Sequence, residues 1–500
     1  MQYKKTKLIS TLGPSICGKI WDYTMYNDPK NSSTIKNGLE ILETLFKSGT
    51  TTVRFNFSHG NQEEQLVRYD MVKQVAKKMN IPISLLLDTK GPEIRVYEIK
   101  EKDGVVIETG STVIIESLNK VSGDSKTFSV TDVTGTYNMA KDVHVGSKIL
   151  IDDGKLILVA TNVDVKTGKI EAIAKNTHKI STKKRINLPN ATYSMPFLSD
   201  KDKDDIKLAC TKKFDYIAAS FTNSADNIRE IRAILSKMKC PEIKVIAKIE
   251  STDAIKNLNE IIRESDAIMI ARGDLGVEIP YYDVPYYEKL IIRKCKKYGK
   301  PVIVATQMLD SMEKNLIPTR AEVTDVHYAV ELGTDSTMTS GETANGNFPV
   351  ESTRAMTAIC CESEKFYDYK KNLDFFKVNS IFGKEATKFA CKIASKCLPT
   401  GKKRDIKFPY EFVVIFSNEE KVIRAVSNAH PAAAIIAVIS DEKLYTLFGI
   451  NYGVKTWKVS DLKKAKKNYK ETVQEALSVY PKQNPESKIL VCINDNFKKI

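Results

Sequence analysis

Lys244–Asp274 reads KVIAKIESTDAIKNLNEIIRESDAIMIARGD, and this stretch decides the fold. Its first and last apolar runs, Lys244–Ile249 and Ala267–Ala271, are short and almost continuously apolar, as strands buried on both faces are. Between them Ala254–Ile262 repeats its apolar residues at helical spacing. Strand, helix and strand in so short a span make one parallel βαβ unit. Outward in both directions the unit recurs. Strand-like runs stand at Lys7–Leu12, Thr52–Phe57, Ile83–Leu87, Tyr216–Ser220, Val302–Thr306 and Asp335–Thr339. Helical patterns stand at Gly38–Phe46, Gln65–Met79, Asp202–Cys210, Asn227–Met238, Tyr286–Tyr298 and Arg320–Leu332. This succession predicts an α/β fold, a (β/α)8 TIM barrel; an open doubly wound sheet is the competing layout.

The rhythm breaks between the third and fourth strands. The segment Lys90–Thr192 is rich in Val, Ile, Thr and Gly, with turn signals at Asp153-Gly154 and Thr167-Gly168. It reads as an inserted all-β domain, placed to swing as a lid over the barrel mouth. Beyond Phe366, strand candidates Phe412–Phe416, Ala434–Ile439, Thr456–Val459 and Ile489–Ile493 alternate with helical runs Glu420–Asn428 and Lys470–Val479. That is a C-terminal open α/β domain. The expected division is a catalytic barrel of residues 1–90 and 192–365, a β-barrel lid of residues 91–191, and a C-terminal domain of residues 366–500. A length of 500 residues suits three cores rather than one.

Composition narrows the setting. The basic start MQYKKTKLISTLGPS has too short an apolar run for a signal peptide, and no run approaches a membrane span. A cytoplasmic protein without membrane contact is expected. The nine cysteines are scattered without CxxC spacing, so reduced, mostly buried thiols are expected. The net charge of +15 comes from lysines spread along the whole chain. No zinc-finger, helix-turn-helix or RNA-binding signature accompanies it, so no specific nucleic-acid partner is expected. A Lys-rich surface explains the charge, with some gain in attracting phosphates.

In barrels of this kind chemistry sits at the C-terminal strand ends. Strand two ends in Arg54-Phe55-Asn56-Phe57-Ser58-His59-Gly60, and strand three in Asp88-Thr89-Lys90-Gly91-Pro92-Glu93-Ile94-Arg95. Strand five carries Lys248 and Glu250, strand six Arg272-Gly273-Asp274, strand seven Thr306-Gln307, strand eight Ser340-Gly341-Glu342. Charges converging so often imply a ligand or a metal, since buried unpaired charge costs several kcal/mol per ion. Glu250 and Asp274 suit Mg²⁺ (or Mn²⁺), with water and substrate oxygens completing the shell; the plainer reading has them balance Lys248 and Arg272. Asn56, Ser58, Asp88 and Thr89 form a second oxygen cluster whose single charge suits a monovalent cation; turn and cap hydrogen bonds are the plainer reading. Thr319 with Glu322 reads as a helix capping box. The isolated His144, His178, His327 and His430 read as surface or core residues.

The strings FNFSHG (Phe55–Gly60), DTKGPEIR (Asp88–Arg95), ARGDLGVE (Ala271–Glu278), ATQML (Ala305–Leu309), PTRAEV (Pro318–Val323) and SGETA (Ser340–Ala344) resemble pyruvate kinase, in that family's order across most of the barrel. The resemblance implies an enzyme of glycolysis that transfers the phosphoryl group of phosphoenolpyruvate to ADP, giving pyruvate and ATP. It implies that Lys248 stabilises the phosphoryl group in flight, that Glu250 and Asp274 bind Mg²⁺, and that Asn56, Ser58, Asp88 and Thr89 hold K⁺. The Ala271, Arg272, Gly273 and Asp274 backbone would hold the substrate carboxylate. Arg54 and Arg95 would contact phosphates, with His59, Arg95 and Lys184 on the nucleotide side. Thr306 would lie near the carbon that is protonated, with Ser340 and Glu342 in the supporting network. Glu93 matches the K⁺-dependent form, and the family expectation is a homotetramer.

Departures accompany the match. Cys17–Ser33 is insertion-like, Ser251 stands where Asn is common, Arg185 where Gly is common, and Thr339 where Leu is frequent. The C-terminal segment Phe416-Ser417-Asn418-Glu419-Glu420-Lys421 lacks the Ser/Thr-rich, Gly-containing loop of members activated by fructose 1,6-bisphosphate, and its carboxylates repel phosphate. That sugar bisphosphate is not expected to activate through this loop. The rival readings are another Mg²⁺-dependent barrel enzyme of pyruvate or phosphoenolpyruvate, and a catalytically silent binding protein on this fold.

Overall fold

The computed structural model describes residues 3–401, 406–480, 482, 485–493 and 496–499. Eight parallel strands close into a barrel in chain order: Lys7–Thr11, Thr52–Asn56, Ser84–Asp88, Tyr216–Ala219, Lys244–Ile249, Ala267–Ala271, Val302–Ala305 and Ser336–Thr339. The ring shuts where Lys7 pairs with Ser336 and Ile9 with Thr52. Closure removes the open doubly wound sheet as a description of this part of the chain. Successive side chains on each strand alternate between the barrel interior and the helix layer. Ile9, Leu86, Ile246, Met269, Ile303 and Met338 fill the interior, while Leu8, Val53, Leu85, Val245, Ile268 and Val304 pack outward beneath the helices. Burying each such side chain contributes about 1.5–3 kcal/mol, and a one-residue slip would exchange the two sets.

Two helices depart from the sequence reading. The first barrel helix spans Ser32–Lys47, so Gly38 lies inside it rather than at its start. A Cβ at Gly38 would come within 2.6 Å of the Ile16 carbonyl oxygen and 2.8 Å of Met71 Cε, so glycine here serves close packing. The insertion-like stretch ahead of it forms a short helix, Tyr23–Asn27, capped by Asp22. Tyr23 fastens that helix to the next barrel helix through its hydroxyl, 2.5 Å from Asp70 Oδ2. The run expected as one helix at Ala254–Ile262 is two, Thr252–Lys256 and Leu258–Glu264. They break at Asn257, whose Nδ2 donates to the Asn223 carbonyl at 2.8 Å.

The inserted segment forms a second closed barrel of seven strands around Val113, Ile115, Phe128, Ile149, Leu158 and Ile170. Toward the C-terminus, strands Val454–Lys458, Ala434–Ile439, Phe412–Phe416, Ile489–Ile493 and Asn496–Lys499 make one sheet in that order, parallel except for the last pair. Phe412, Val414 and Phe416 face one apolar layer and Val413 and Ile415 the other. The sequence reading passed over the antiparallel edge strand and the helices Tyr369–Asn379 and Lys384–Lys396. The edge strand reads NFKK, half of it charged, and the second helix buries a stripe made largely of alanine, so neither sends a strong hydrophobic signal.

This C-terminal layer seals the N-terminal end of the catalytic barrel. Ile450 enters the barrel interior, Ser336 Oγ donates to the Ile450 carbonyl at 2.9 Å, and Thr51 Oγ1 donates to the Gly449 carbonyl at 2.7 Å. The open end is therefore the C-terminal one. Among the described residues the cysteines form no disulfide. Among the described residues no helix is long and apolar enough to cross a membrane.

Candidate active site

The strand period of two builds the centre of the site. Lys248 and Glu250 point into the barrel mouth while Ile249 packs outward; Arg54 and Asn56 do the same around Phe55. Lys248 Nζ lies 2.9 Å from Glu250 Oε1, 3.2 Å from Asp88 Oδ1 and 2.8 Å from Ser220 Oγ. Arg54 Nε donates to Asp88 Oδ2 at 2.6 Å, and its Nη1 to Thr11 Oγ1 at 3.1 Å. Burial works against every charge here, and the ion pairs decide which charges survive. Burial alone lowers the Lys248 pKa, but Asp88 and Glu250 reverse that and leave it raised. Asp88 resists burial through Lys248 and Arg54 and is held below the usual carboxylate range. Glu250 is pushed up, by burial first and then by the charge of Asp274. It is the carboxylate left wanting a second cation.

Asn56 stands beside Asp88 in strand register, and its Oδ1 accepts from the Ser58 amide at 3.1 Å. Thr89 Oγ1 donates to the Ala218 carbonyl at 3.3 Å and accepts from the Ser220 amide at 3.2 Å. The four residues of the second oxygen cluster thus occupy adjoining strand ends.

The Arg272 side chain turns away from the mouth. Its guanidinium bonds Asp325 at 2.6 and 2.7 Å, Glu288 at 3.2 Å and the Thr306 carbonyl at 3.0 Å. That clamp holds a strained turn: Thr306 and Gln307 have φ of +66° and +53°, a region costing a β-branched residue on the order of 1–3 kcal/mol. Thr306 Oγ1 accepts from the Gly273 amide at 2.7 Å. Of the Ala271–Asp274 stretch, then, the Arg272 side chain and the Gly273 amide are engaged within the fold, and the Asp274 carboxylate meets Arg185. Glu342 accepts from the Leu309 amide at 3.0 Å and from the Ser340 amide at 2.6 Å, joining the seventh and eighth strand ends.

The remaining positions lie toward the inserted barrel. Arg95 bonds Glu93 Oε2 at 2.8 Å and the Lys183 carbonyl at 2.9 Å. Lys184 Nζ donates to Asp152 Oδ1 at 2.8 Å, and His59 is exposed at the rim. The sequence reading gave no site role to Ser220 or Phe221 and noted Arg185 only as a departure. Ser220 donates to Asp88 Oδ1 at 3.0 Å and to the Thr89 carbonyl at 2.7 Å while receiving Lys248. The Phe221 amide donates to Glu250 Oε2 at 2.6 Å. Arg185 donates to Asp274 Oδ1 and, at 2.9 Å, to Glu93 Oε1. Ser220 stands at the polar end of the fourth strand, as the site residues of six other strands do, but as a lone serine among them. Ser340 Oγ is buried without a hydrogen-bond partner among the described residues, and such an atom in a cleft calls for a ligand.

The family model described as the pyruvate kinase barrel domain matches residues 3–353. A pyruvate kinase of Mycoplasma pneumoniae is 45% identical over 99% of this chain and 98% of its own length. One from Mycoplasma genitalium is 46% identical over 90% of this chain and 89% of its own. A crystal structure of a pyruvate kinase from Cryptosporidium parvum superposes with a TM-score of 0.84 at 29% identity, covering 99% of this chain and 96% of that one. With the barrel, the polar strand ends and these relatives in agreement, the chain belongs to the pyruvate kinase family.

Proposed function

We propose that phosphoenolpyruvate and ADP are converted to pyruvate and ATP around Lys248, whose ammonium faces the barrel mouth between Asp88, Glu250 and Ser220. That placement is the observation that carries the reading. In the transfer, the bond between phosphorus and the enol oxygen breaks and one to a terminal ADP oxygen forms. The Lys248 and Arg54 cations stabilise charge on the equatorial oxygens in flight, which is where phosphoryl transfer needs help. The enolate left behind takes a proton on carbon beside Thr306, with Ser340 and Glu342 positioning that side of the pocket. The Ala271, Arg272, Gly273 and Asp274 backbone receives the substrate carboxylate, and His59, Arg95 and Lys184 line the nucleotide side.

Pyruvate kinases generally need a divalent metal and potassium. Two carboxylates at the ends of neighbouring strands fit a hard cation that keeps several water or substrate ligands. Glu250 and Asp274 would hold that Mg²⁺ or Mn²⁺, which supplies positive charge to the phosphoryl oxygens when bound. Three neutral side-chain oxygens and one carboxylate fit K⁺ in charge at Asn56, Ser58, Asp88 and Thr89. Asp88 joins them by sharing the oxygens it gives to Arg54 and Lys248.

The wider reading keeps the three-part division: residues 1–90 with 192–365 for catalysis, 91–191 as a lid, 366–500 as a C-terminal domain. A cytoplasmic homotetramer goes with it, supported by the outward-facing Tyr281, Tyr282 and Ile317, which suit coverage by another subunit. The test is pyruvate formation by purified protein with phosphoenolpyruvate, ADP and Mg²⁺, with and without K⁺. Pyruvate that needs ADP and Mg²⁺ supports the reaction, and a rise with K⁺ supports the second cluster. No pyruvate under any condition would favour the silent binding protein.

A further inference from the structure

One arginine of the inserted barrel reaches into the candidate metal site. Arg185 opens the strand Arg185–Asn187, which is paired antiparallel to Ile94 and Arg95 and so is held from behind. Its guanidinium crosses to the catalytic barrel. Nη1 donates to Asp274 Oδ1, Nη2 to Glu93 Oε1 at 2.9 Å, and Cζ lies 4.9 Å from the centroid of the Phe221 ring. Two residues on, Asn187 Nδ2 donates to Glu278 Oε1 at 3.1 Å, on the same helix as Asp274. The two barrels are therefore joined beside the carboxylates assigned to a divalent cation.

A guanidinium and a divalent ion compete for Asp274. Both need the same oxygen lone pairs, and the two cations repel at contact distance. Arg185 is not stranded when it leaves, because Glu93 Oε1 still accepts from it, the other oxygen serving Arg95, and the Phe221 face supports it. The exchange is thus inexpensive, and it removes an ion pair linking the inserted barrel to the loop after the sixth strand. We propose that Arg185 is a displaceable counter-cation at the divalent site: it holds Asp274 in the metal-free enzyme, latches the inserted barrel to the catalytic barrel, and yields Asp274 to an incoming metal ion. This rests on the reading of Asp274 as a metal ligand.

Mn²⁺ binding to the substrate-free enzyme, followed by electron paramagnetic resonance of the free ion, tests both readings separately. Arg185→Gln should bind Mn²⁺ on the order of tenfold more tightly, the scale on which a neighbouring cation shifts a carboxylate's equilibria. Arg185→Lys keeps the charge and should stay near wild type. A purely structural role for Arg185 would lower metal affinity instead, so unchanged or weaker binding by Arg185→Gln overturns the latch. Asp274→Asn should lose Mn²⁺ binding; unchanged affinity in that variant overturns the ligand assignment and the latch with it. In the wild type, Mn²⁺ should quicken amide hydrogen exchange across Arg185–Asn187, and exchange that ignores the metal also overturns the latch.

Discussion

Of the three partners of Lys248, Asp88 and Glu250 carry charge and Ser220 does not, so the ammonium is held by attraction and aimed by a hydroxyl. Lys248→Met removes the donor and should cost at least about 10²-fold in turnover, on the scale of oxyanion-hole deletions, while substrate binding persists. Pyruvate formation checks the first part and isothermal titration the second. Ser220→Ala leaves the charges and removes the aim. Hydrogen bonds to charged groups are worth about 1.5–3 kcal/mol, so kcat should fall roughly tenfold with little change in KM, as steady-state kinetics would record. Lys248, Glu250, Arg54 and Asp88 were legible in the sequence because a charge at a strand end has no packing explanation. Ser220 was not, because a lone serine carries no such signal until the chain brings Asp88 and Lys248 to it. Arg185 was noticed as a departure, yet nothing in a linear sequence pairs it with Asp274, 89 positions away.

Secondary elements were read best where both faces are buried. All eight catalytic-barrel strands were found, each end within one residue of its observed place, since a continuous apolar run admits few other fates. Helices were read less well, because each buries one stripe and its ends depend on caps. Ser251 shows how a cap serves the site: it follows Glu250 directly and its Oγ accepts from the Ala254 amide at 3.1 Å, starting the helix Thr252–Lys256. Ser251→Ala should cost about 1 kcal/mol of stability, measured by urea unfolding, and Ser251→Asn should restore most of it. Ser251 thus preserves the capping function that an asparagine supplies.

At the scale of the whole molecule, the C-terminal layer is tied to the closed end of the barrel through Asp215. This carboxylate accepts from the Leu85 amide at 2.7 Å and from Thr446 Oγ1 at 2.5 Å, and burial pushes its pKa up to about 7. An unfolded aspartate titrates near 3.9, so between about pH 4 and 7 the folded chain binds more protons. The stability contributed by the protonated group is full below that window and is lost as pH rises through 7. Thermal melts should therefore show a decline over this range that Asp215→Asn flattens. In the same layer, Asn418 accepts from the Ser440 amide at 2.8 Å, and Glu420 accepts from Lys244 Nζ at 3.0 Å. Fructose 1,6-bisphosphate should accordingly leave the apparent KM for phosphoenolpyruvate unchanged, and a saturable fall in that constant would count against this reading. By itself the sequence determined the barrel and the polar strand ends, because burial periodicity and strand-end charge are local properties of the chain, while the family was carried by the resemblance of its motif strings. Only the tertiary structure decided that Arg272 clamps the Thr306 turn, that Ser220 aims Lys248, that Arg185 meets Asp274 and that Ile450 plugs the barrel. Each of these is a contact between residues far apart in the chain, and its energy comes from a proximity that exists only after folding.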